Sequence, residues 1–265
     1  MAKASTIGKI RQDGINCIFN EDRLTREQAI ELLSNNAESL FSDSKSIYET
    51  GNALSYQVNV SEFTFFAKEY KPRKLYKRIL DAFKPACHYS FLAGLDLQEA
   101  DLPTPTPILA AAMPSKSGTR QLLVTEFCEN ARGLDQWVKE NDNAKRTVVL
   151  NELACLLADF HGKGFYSRHL RSANIMIAEN EGERLYWFID LDRMNKSSLL
   201  NAGNYVSTVS RACFEFNEYL SSEDRKNLLI NCFNSGLRHG VFTKPSQEAA
   251  FVKRTRTQIK RRRGY

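Results

Sequence analysis

Apolar and polar positions change their period twice along the chain. Near the start, Thr25-Arg-Glu-Gln28 has the form of a capping box, which predicts a helix to about Phe41. Shorter runs follow in which alternation and β-forming residues dominate: Ile47–Glu49, Leu54–Val60 and Phe63–Glu69, with a turn expected at Gly51-Asn52. Helical spacing then returns over Leu75–Phe83 and Cys87–Ala100. Leu102-Pro-Thr-Pro-Thr-Pro107 must be extended, because proline disfavours helix at and before itself. Ile108–Met113 and Gln121–Phe127 complete an expected five-stranded antiparallel sheet carrying one or two helices.

Past Asn130-Ala-Arg-Gly133 the helical period takes over. Leu134–Glu140 and Ala144–Lys163 are predicted helices, the second with an apolar stripe of Val148, Leu150, Leu153, Leu156, Leu157 and Phe160. A loop, two short strands (Ile175–Ala178 and Leu185–Ile189) and about three amphipathic helices follow. The expected fold is α+β and two-lobed, with a β-rich N-lobe over 1–128 and an α-rich C-lobe over 129–252. A hinge falls near 127–133, and residues 253–265 form a tail.

Composition changes this picture mainly through charge. The 265 residues are 42% hydrophobic and 26% charged, ordinary for a globular chain, with net charge +6. Seven Lys or Arg and no acid fall within 253–265, and removing them leaves −1 for the rest. A second cationic run spans Lys68–Arg78. Both suit a phosphate-rich surface, whether anionic lipid, phosphorylated sugar or nucleic acid; a solvated tail is the plain alternative. The six cysteines show no C-x-x-C pair and sit mostly in apolar company, as Cys155 does in Leu-Ala-Cys-Leu-Leu, so reduced core thiols are expected rather than a metal cluster. The first residues lack a signal peptide's apolar core, and no apolar run approaches the roughly 20 residues that span a bilayer. A cytoplasmic location is expected.

Three spots stand in the order a phosphotransferase needs. Lys68 ends the apolar run Phe65-Phe-Ala, where a kinase strand lysine meets the nucleotide phosphates; elsewhere such a lysine is a solvated surface residue. Ser167-Arg168-His169-Leu-Arg-Ser-Ala-Asn174, before the apolar Ile175-Met-Ile177, resembles the catalytic loop H-R-D-x-x-x-x-N. Asn174 stands at its metal-binding asparagine. Leu185-Tyr-Trp-Phe-Ile189 ends in Asp190-Leu-Asp192-Arg193, and a carboxylate after five apolar residues must pair or bind a cation. Sixteen residues separate Asn174 from Asp190, room for one hairpin that brings both to one Mg²⁺, an ion that prefers oxygen ligands.

The Ile-Asp-Leu-Asp-Arg ending, the Lys-Glu-Tyr-Lys-Pro-Arg run and Leu-Pro-Thr-Pro together resemble the lipopolysaccharide core kinases over roughly residues 45–235. Members phosphorylate Kdo or heptose of lipid A–core at the inner face of the bacterial cytoplasmic membrane. The resemblance implies a protein-kinase-like fold and use of ATP and Mg²⁺. It implies Lys68 for the phosphates, Asn174 and Asp190 for the metal, and a hinge around Glu126–Cys128 for adenine. It implies an anionic glycolipid or phosphosugar acceptor and no specific nucleic acid.

The sequence departs from the kinase pattern at several points. The catalytic aspartate position is His169, beside Arg168; the histidine either serves as base, since an imidazole of ordinary pKa about 6.5 accepts a proton at neutral pH, or packs a non-catalytic loop. Asp192 is the nearest alternative acceptor, and His161 is expected to be structural. The glycine-rich loop is reduced to Gly51, and no helix glutamate stands out as the partner of Lys68, Glu99 being late in its helix. No long activation segment follows Asp192, as expected for a small-molecule or glycolipid kinase. The alternatives are a pseudokinase that binds nucleotide or a partner at the membrane, and a kinase of another small molecule.

Overall fold

A computed structural model describes residues 5–34, 45–49, 53–60, 63–71, 85–115 and 118–262. The chain divides into two compact units, Met1–Glu129 with Asp190–Asp192, and Asn130–Ile189 with Arg193–Tyr265. The first is β-rich and the second mostly helical.

Among the described residues the first unit holds a sheet of seven antiparallel strands rather than the expected five. They are β1 (Ile7–Gln12), β2 (Ile15–Asn20), β3 (Lys45–Glu49), β4 (Ala53–Val60), β5 (Phe63–Tyr70), β6 (Pro107–Ser115) and β7 (Gly118–Glu126), in the order β1-β2-β6-β7-β5-β4-β3. The two additional strands are a hairpin closed at Asp13 and Gly14, both at positive φ (51° and 78°), as a two-residue Asp-Gly turn requires.

Helix α1 (Arg26–Ser34) opens on the expected capping box. The Thr25 N–H donates to Gln28 Oε1 at 2.8 Å and the Gln28 N–H to Thr25 Oγ1 at 3.2 Å. The rest of the helix expected to Phe41, the Gly51-Asn52 turn and the helix expected over 75–83 lie outside the described residues. Helix α2 (Ala86–Glu99) matches its expected span closely.

Strand alternation sends side chains to two cores. Cys17, Phe19, Val58, Ala67, Leu109 and Val124 pack with Leu24, Ala29 and Leu33 around α1. Ile18, Tyr70, Ala110 and Leu123 pack with Cys87 and Phe91 of α2. Lys68, two residues before Tyr70 on β5, therefore shares the α2 face.

In the second unit, β8 (Arg132–Gly133), β10 (Ile175–Asn180) and β11 (Glu183–Phe188) form a small sheet, while β9 (Phe165–Tyr166) pairs with β12 (Asn195–Lys196). Helices α3 (Leu134–Glu140) and α4 (Asn143–Gly162) precede them, and α5 (Ala202–Ala212), α6 (Ser222–Arg238) and α7 (Glu248–Arg262) follow.

Two expectations are corrected here. Residues 253–262 are no tail but most of α7, which buries Phe251, Thr255 and Ile259; Phe251 stacks on Tyr205 at 5.8 Å between ring centroids. The basic run hid the stripe because three inward positions suffice to seat a helix whose other faces are cationic. Cys155 is exposed rather than in the core, on the face of α4 that meets Ser235 and Arg238.

Candidate active site

In the first unit, Lys68 Nζ donates to Asp190 Oδ1 at 2.5 Å and lies 4.9 Å from the centroid of the Tyr70 ring. Chain geometry explains how a residue 122 positions away arrives there. The backbone at Asp190 turns through the left-handed region (φ 58°), which aspartate tolerates better than most residues. Leu191 is buried, and a Cβ built on Gly94 of α2 would lie 3.6 Å from its Cδ1. Gly94 leaves room for the Pro107 ring, whose Cγ an added Cβ would meet at 2.5 Å, and Leu191 beside it carries Asp190 and Asp192 into the first unit.

Burial works against the Lys68 ammonium, but the charges of Asp190 and Asp192 favour it, and its pKa lies above the ordinary lysine value. Burial pushes the Tyr70 phenol up to about 12, so it stays neutral, hydrogen-bonded to Ser90 Oγ of α2 at 3.1 Å.

At the end of the same unit, the Glu126 N–H donates to the Thr106 carbonyl at 2.9 Å and its carboxylate meets Arg23 at 3.2 Å. Cys128 is half-buried, with its thiol pushed up to about 12 by burial and by Glu126. Its backbone N–H and C=O form no hydrogen bond among the described residues.

In the second unit, the loop from β9 to the turn at Ser172–Asn174 is fixed at three points. Ser167 is buried: its N–H donates to Thr208 Oγ1 at 3.2 Å, its hydroxyl to the Arg193 carbonyl at 3.4 Å, and its oxygen accepts the His169 N–H at 3.1 Å. Leu170 is buried as an apolar anchor. Glu215 holds the far half, accepting from Arg171 Nε at 2.6 Å and from the Ser172 N–H at 3.0 Å.

Between these anchors Arg168 and His169 are exposed. Arg193 Nη1 lies 3.3 Å from His169 Nε2. The same Nη1 lies 3.5 Å from His169 Nδ1, so the guanidinium stands beside both ring nitrogens. Asn174 is half-buried, and its carbonyl accepts the N–H of Ile189 at 2.9 Å, which ties the loop to the residue just before Asp190.

His161 is buried on Tyr205, 5.2 Å between rings. Burial lowers its pKa despite the Phe165 and Asn201 backbone, and its Nδ1 has no hydrogen-bond partner, so it is a neutral packing residue.

Of the sequence-derived residues, Lys68, Asp190 and Asp192 converge in the first unit, with Glu126 and Cys128 at its end. Arg168, His169 and Asn174 belong to one loop of the second. Sequence reasoning missed Tyr70, although its i+2 spacing from Lys68 on a strand was a signal. It also missed Ser167, Arg193 and Glu215. Among the described residues no three His, Cys, Asp or Glu side chains gather as a metal cluster.

Comparison with known proteins bears on this geometry. Residues 91–202 match the model of the Lipopolysaccharide kinase (Kdo/WaaP) family. The matched segment contains His169, Asn174 and Asp190; Lys68 precedes it. A 3-deoxy-D-manno-octulosonic acid kinase of Haemophilus influenzae (strain 86-028NP) is 31% identical over 104 residues, which cover 38% of this chain and 42% of that protein. The chain thus matches about two-fifths of the length of this curated relative. A structure of WaaP in complex with acyl carrier protein aligns with a TM-score of 0.55 at 15% identity, covering 86% of this chain and 96% of that one. The family resemblance and the kinase-like fold expected from sequence are both found.

Proposed function

We propose that the chain is an ATP- and Mg²⁺-dependent phosphotransferase acting on a sugar hydroxyl of lipopolysaccharide core, Kdo or heptose, or of a related anionic glycolipid. The observation that carries the proposal is the meeting of Lys68 with Asp190, beside Asp192 and the neutral Tyr70. A strand lysine and a carboxylate on a left-handed turn supply what a metal–nucleotide needs, a cation for phosphate oxygens and hard oxygen donors for Mg²⁺. The family match over 91–202 and the name of the Haemophilus relative support a Kdo-type acceptor.

The carboxylates of Asp190 and Asp192 are hard oxygen donors of the kind Mg²⁺ takes, and the family resemblance gives Asn174 the same role. When bound, the ion neutralises charge developing on the transferred phosphoryl group. Lys68 would leave Asp190 for the phosphates. The unbonded backbone of Cys128, beside Glu126, would take the adenine edge.

His169, exposed beside the Arg193 guanidinium, would accept the acceptor hydroxyl's proton. The exposed cations of α7 (Lys253, Arg254, Arg256 and Lys260) suit an anionic bilayer, in keeping with peripheral association at the inner face of a bacterial cytoplasmic membrane.

A pseudokinase is the second reading, favoured by histidine at the catalytic aspartate position. The two readings share nucleotide binding. Mg²⁺-ATP should raise the melting temperature of the wild type, and Asp190→Ala should remove most of that gain. An equal shift in the variant would exclude Asp190 as a metal ligand.

A further inference from the structure

A cavity of about 520 Å³ opens in the second unit among α5, α7 and the loop after β9. Arg168, Arg261 and Arg262 line it together with Asn204, Ser207 and Gln258, and no acid does. Neighbouring cations are differently placed, since Arg171 is held by Glu215. Arg168, Arg261 and Arg262 have no acidic partner among the described residues.

Arg262 is half-buried, and burial pushes its pKa down. Burial also lowers that of Arg211, with the charges of Arg171 and Arg262 adding to the effect against Glu215. Gathering guanidinium groups in a concave space, one of them partly dry, costs free energy until an anion enters.

The N-terminal amides of α5 are not the donors, because the Asn201 side chain already caps Gly203 and Asn204. The guanidinium forks are, and their planar pairs of N–H groups match phosphate and carboxylate oxygens. Ser207 and the amides of Asn204 and Gln258 add neutral groups suited to hydroxyls. The volume is that of a small-molecule site, larger than an inorganic ion needs. Arg168 also directly precedes His169.

We infer that this cavity binds an anionic group, a phosphate monoester or carboxylate, carried by the sugar acceptor. The acceptor part rests on the phosphotransferase reading; the anion site does not.

Calorimetric titration of the full chain with glucose 6-phosphate, inorganic phosphate and glucose tests it. Both anions should bind and glucose should not. The Arg261→Gln/Arg262→Gln double variant should weaken glucose 6-phosphate binding by at least about tenfold, the loss expected for charge-assisted hydrogen bonds. Lys253→Gln/Arg256→Gln removes the same charge from α7 away from the cavity and should change binding less than about threefold. No anion binding by the wild type, or equal losses in the two double variants, overturns the site.

Displacement of glucose 6-phosphate by phosphatidylglycerol vesicles would overturn the acceptor assignment in favour of a lipid headgroup. Arginine-dependent anion binding in a wild type that shows no Mg²⁺-ATP melting shift would leave the site standing while the phosphotransferase reading failed.

Discussion

Lys68 Nζ and Asp190 Oδ1 hold each other at 2.5 Å within the first unit, where a kinase strand lysine would otherwise be sought against a helix glutamate. The pair balances two charges that a metal–nucleotide would separate. Asp190 is 41% exposed and Lys68 17%, so solvent screens the attraction. A double-mutant cycle with Lys68→Met and Asp190→Asn, followed by urea denaturation, should give a coupling of about 1 kcal/mol. The coupling should shrink in saturating Mg²⁺-ATP. A coupling unchanged by nucleotide would mean that the pair is not opened by the ligand.

His169 is the chemical weak point. If it is the base, His169→Ala should lose about 10²–10⁴-fold in turnover while still binding Mg²⁺-ATP, and His169→Asp should keep or raise activity. Turnover of His169→Ala at the wild-type rate would shift the proton to water or to Asp192, and a wild type without turnover would favour the pseudokinase.

Glu215 fixes the loop that presents His169. Glu215→Ala strips Arg171 and the Ser172 N–H of their acceptor and should lower unfolding free energy by about 2–3 kcal/mol. Chemical denaturation measures it, and a loss under about 0.5 kcal/mol would show that the anchor is dispensable.

His161 links stability to pH. Its pKa lies below the ordinary 6.5 because burial disfavours the cation. Below that value the unfolded chain binds a proton that the native state refuses, so stability should fall as pH drops from about 7 towards 5. His88, lowered by burial against the Asn16 and Ala110 backbone, acts in the same direction. Denaturation at several pH values should show a flatter acid slope in His161→Gln, and an unchanged slope would assign it to His88.

The two roles of α7 separate by variant. Deleting residues 253–265 removes buried Thr255 and Ile259 and should cost about 2 kcal/mol or more. Lys253→Gln/Arg254→Gln/Arg256→Gln should leave melting unchanged but weaken binding to anionic vesicles, and salt should mimic it, since screening sets in within about 8 Å at physiological strength. Vesicle binding unaffected by the triple change would leave these charges merely solvated.

Much of this was legible in the sequence because local pattern and local structure agree. The stripe Leu150, Leu153, Leu157 and Phe160, the capping box at Thr25 and the proline-bounded strand after Leu102 each decide one element, although Val148, expected in the stripe, is exposed and Val149 is buried in its place. The β1–β2 hairpin was overlooked because its strands carry Lys9, Arg11 and Asn16 among the apolar residues, although Asp13-Gly14 marked its turn. Helix α7 was hidden because charge dominates its composition while its buried positions are Phe251, Thr255 and Ile259. The order of Lys68, Asn174 and Asp190 was readable. Their supports were not: Glu215 and Arg193 reach the loop through tertiary packing, and no local spacing encodes that.

The most direct test of the account is transfer of label from γ-³²P-ATP to purified lipid A–core by the wild type and Asp190→Ala, each with Mg²⁺. The account predicts label in the glycolipid with the wild type and a rate at least about 10²-fold lower in the variant, the scale set by removing one charge-stabilising group. Labelling by the wild type no faster than by Asp190→Ala would contradict it.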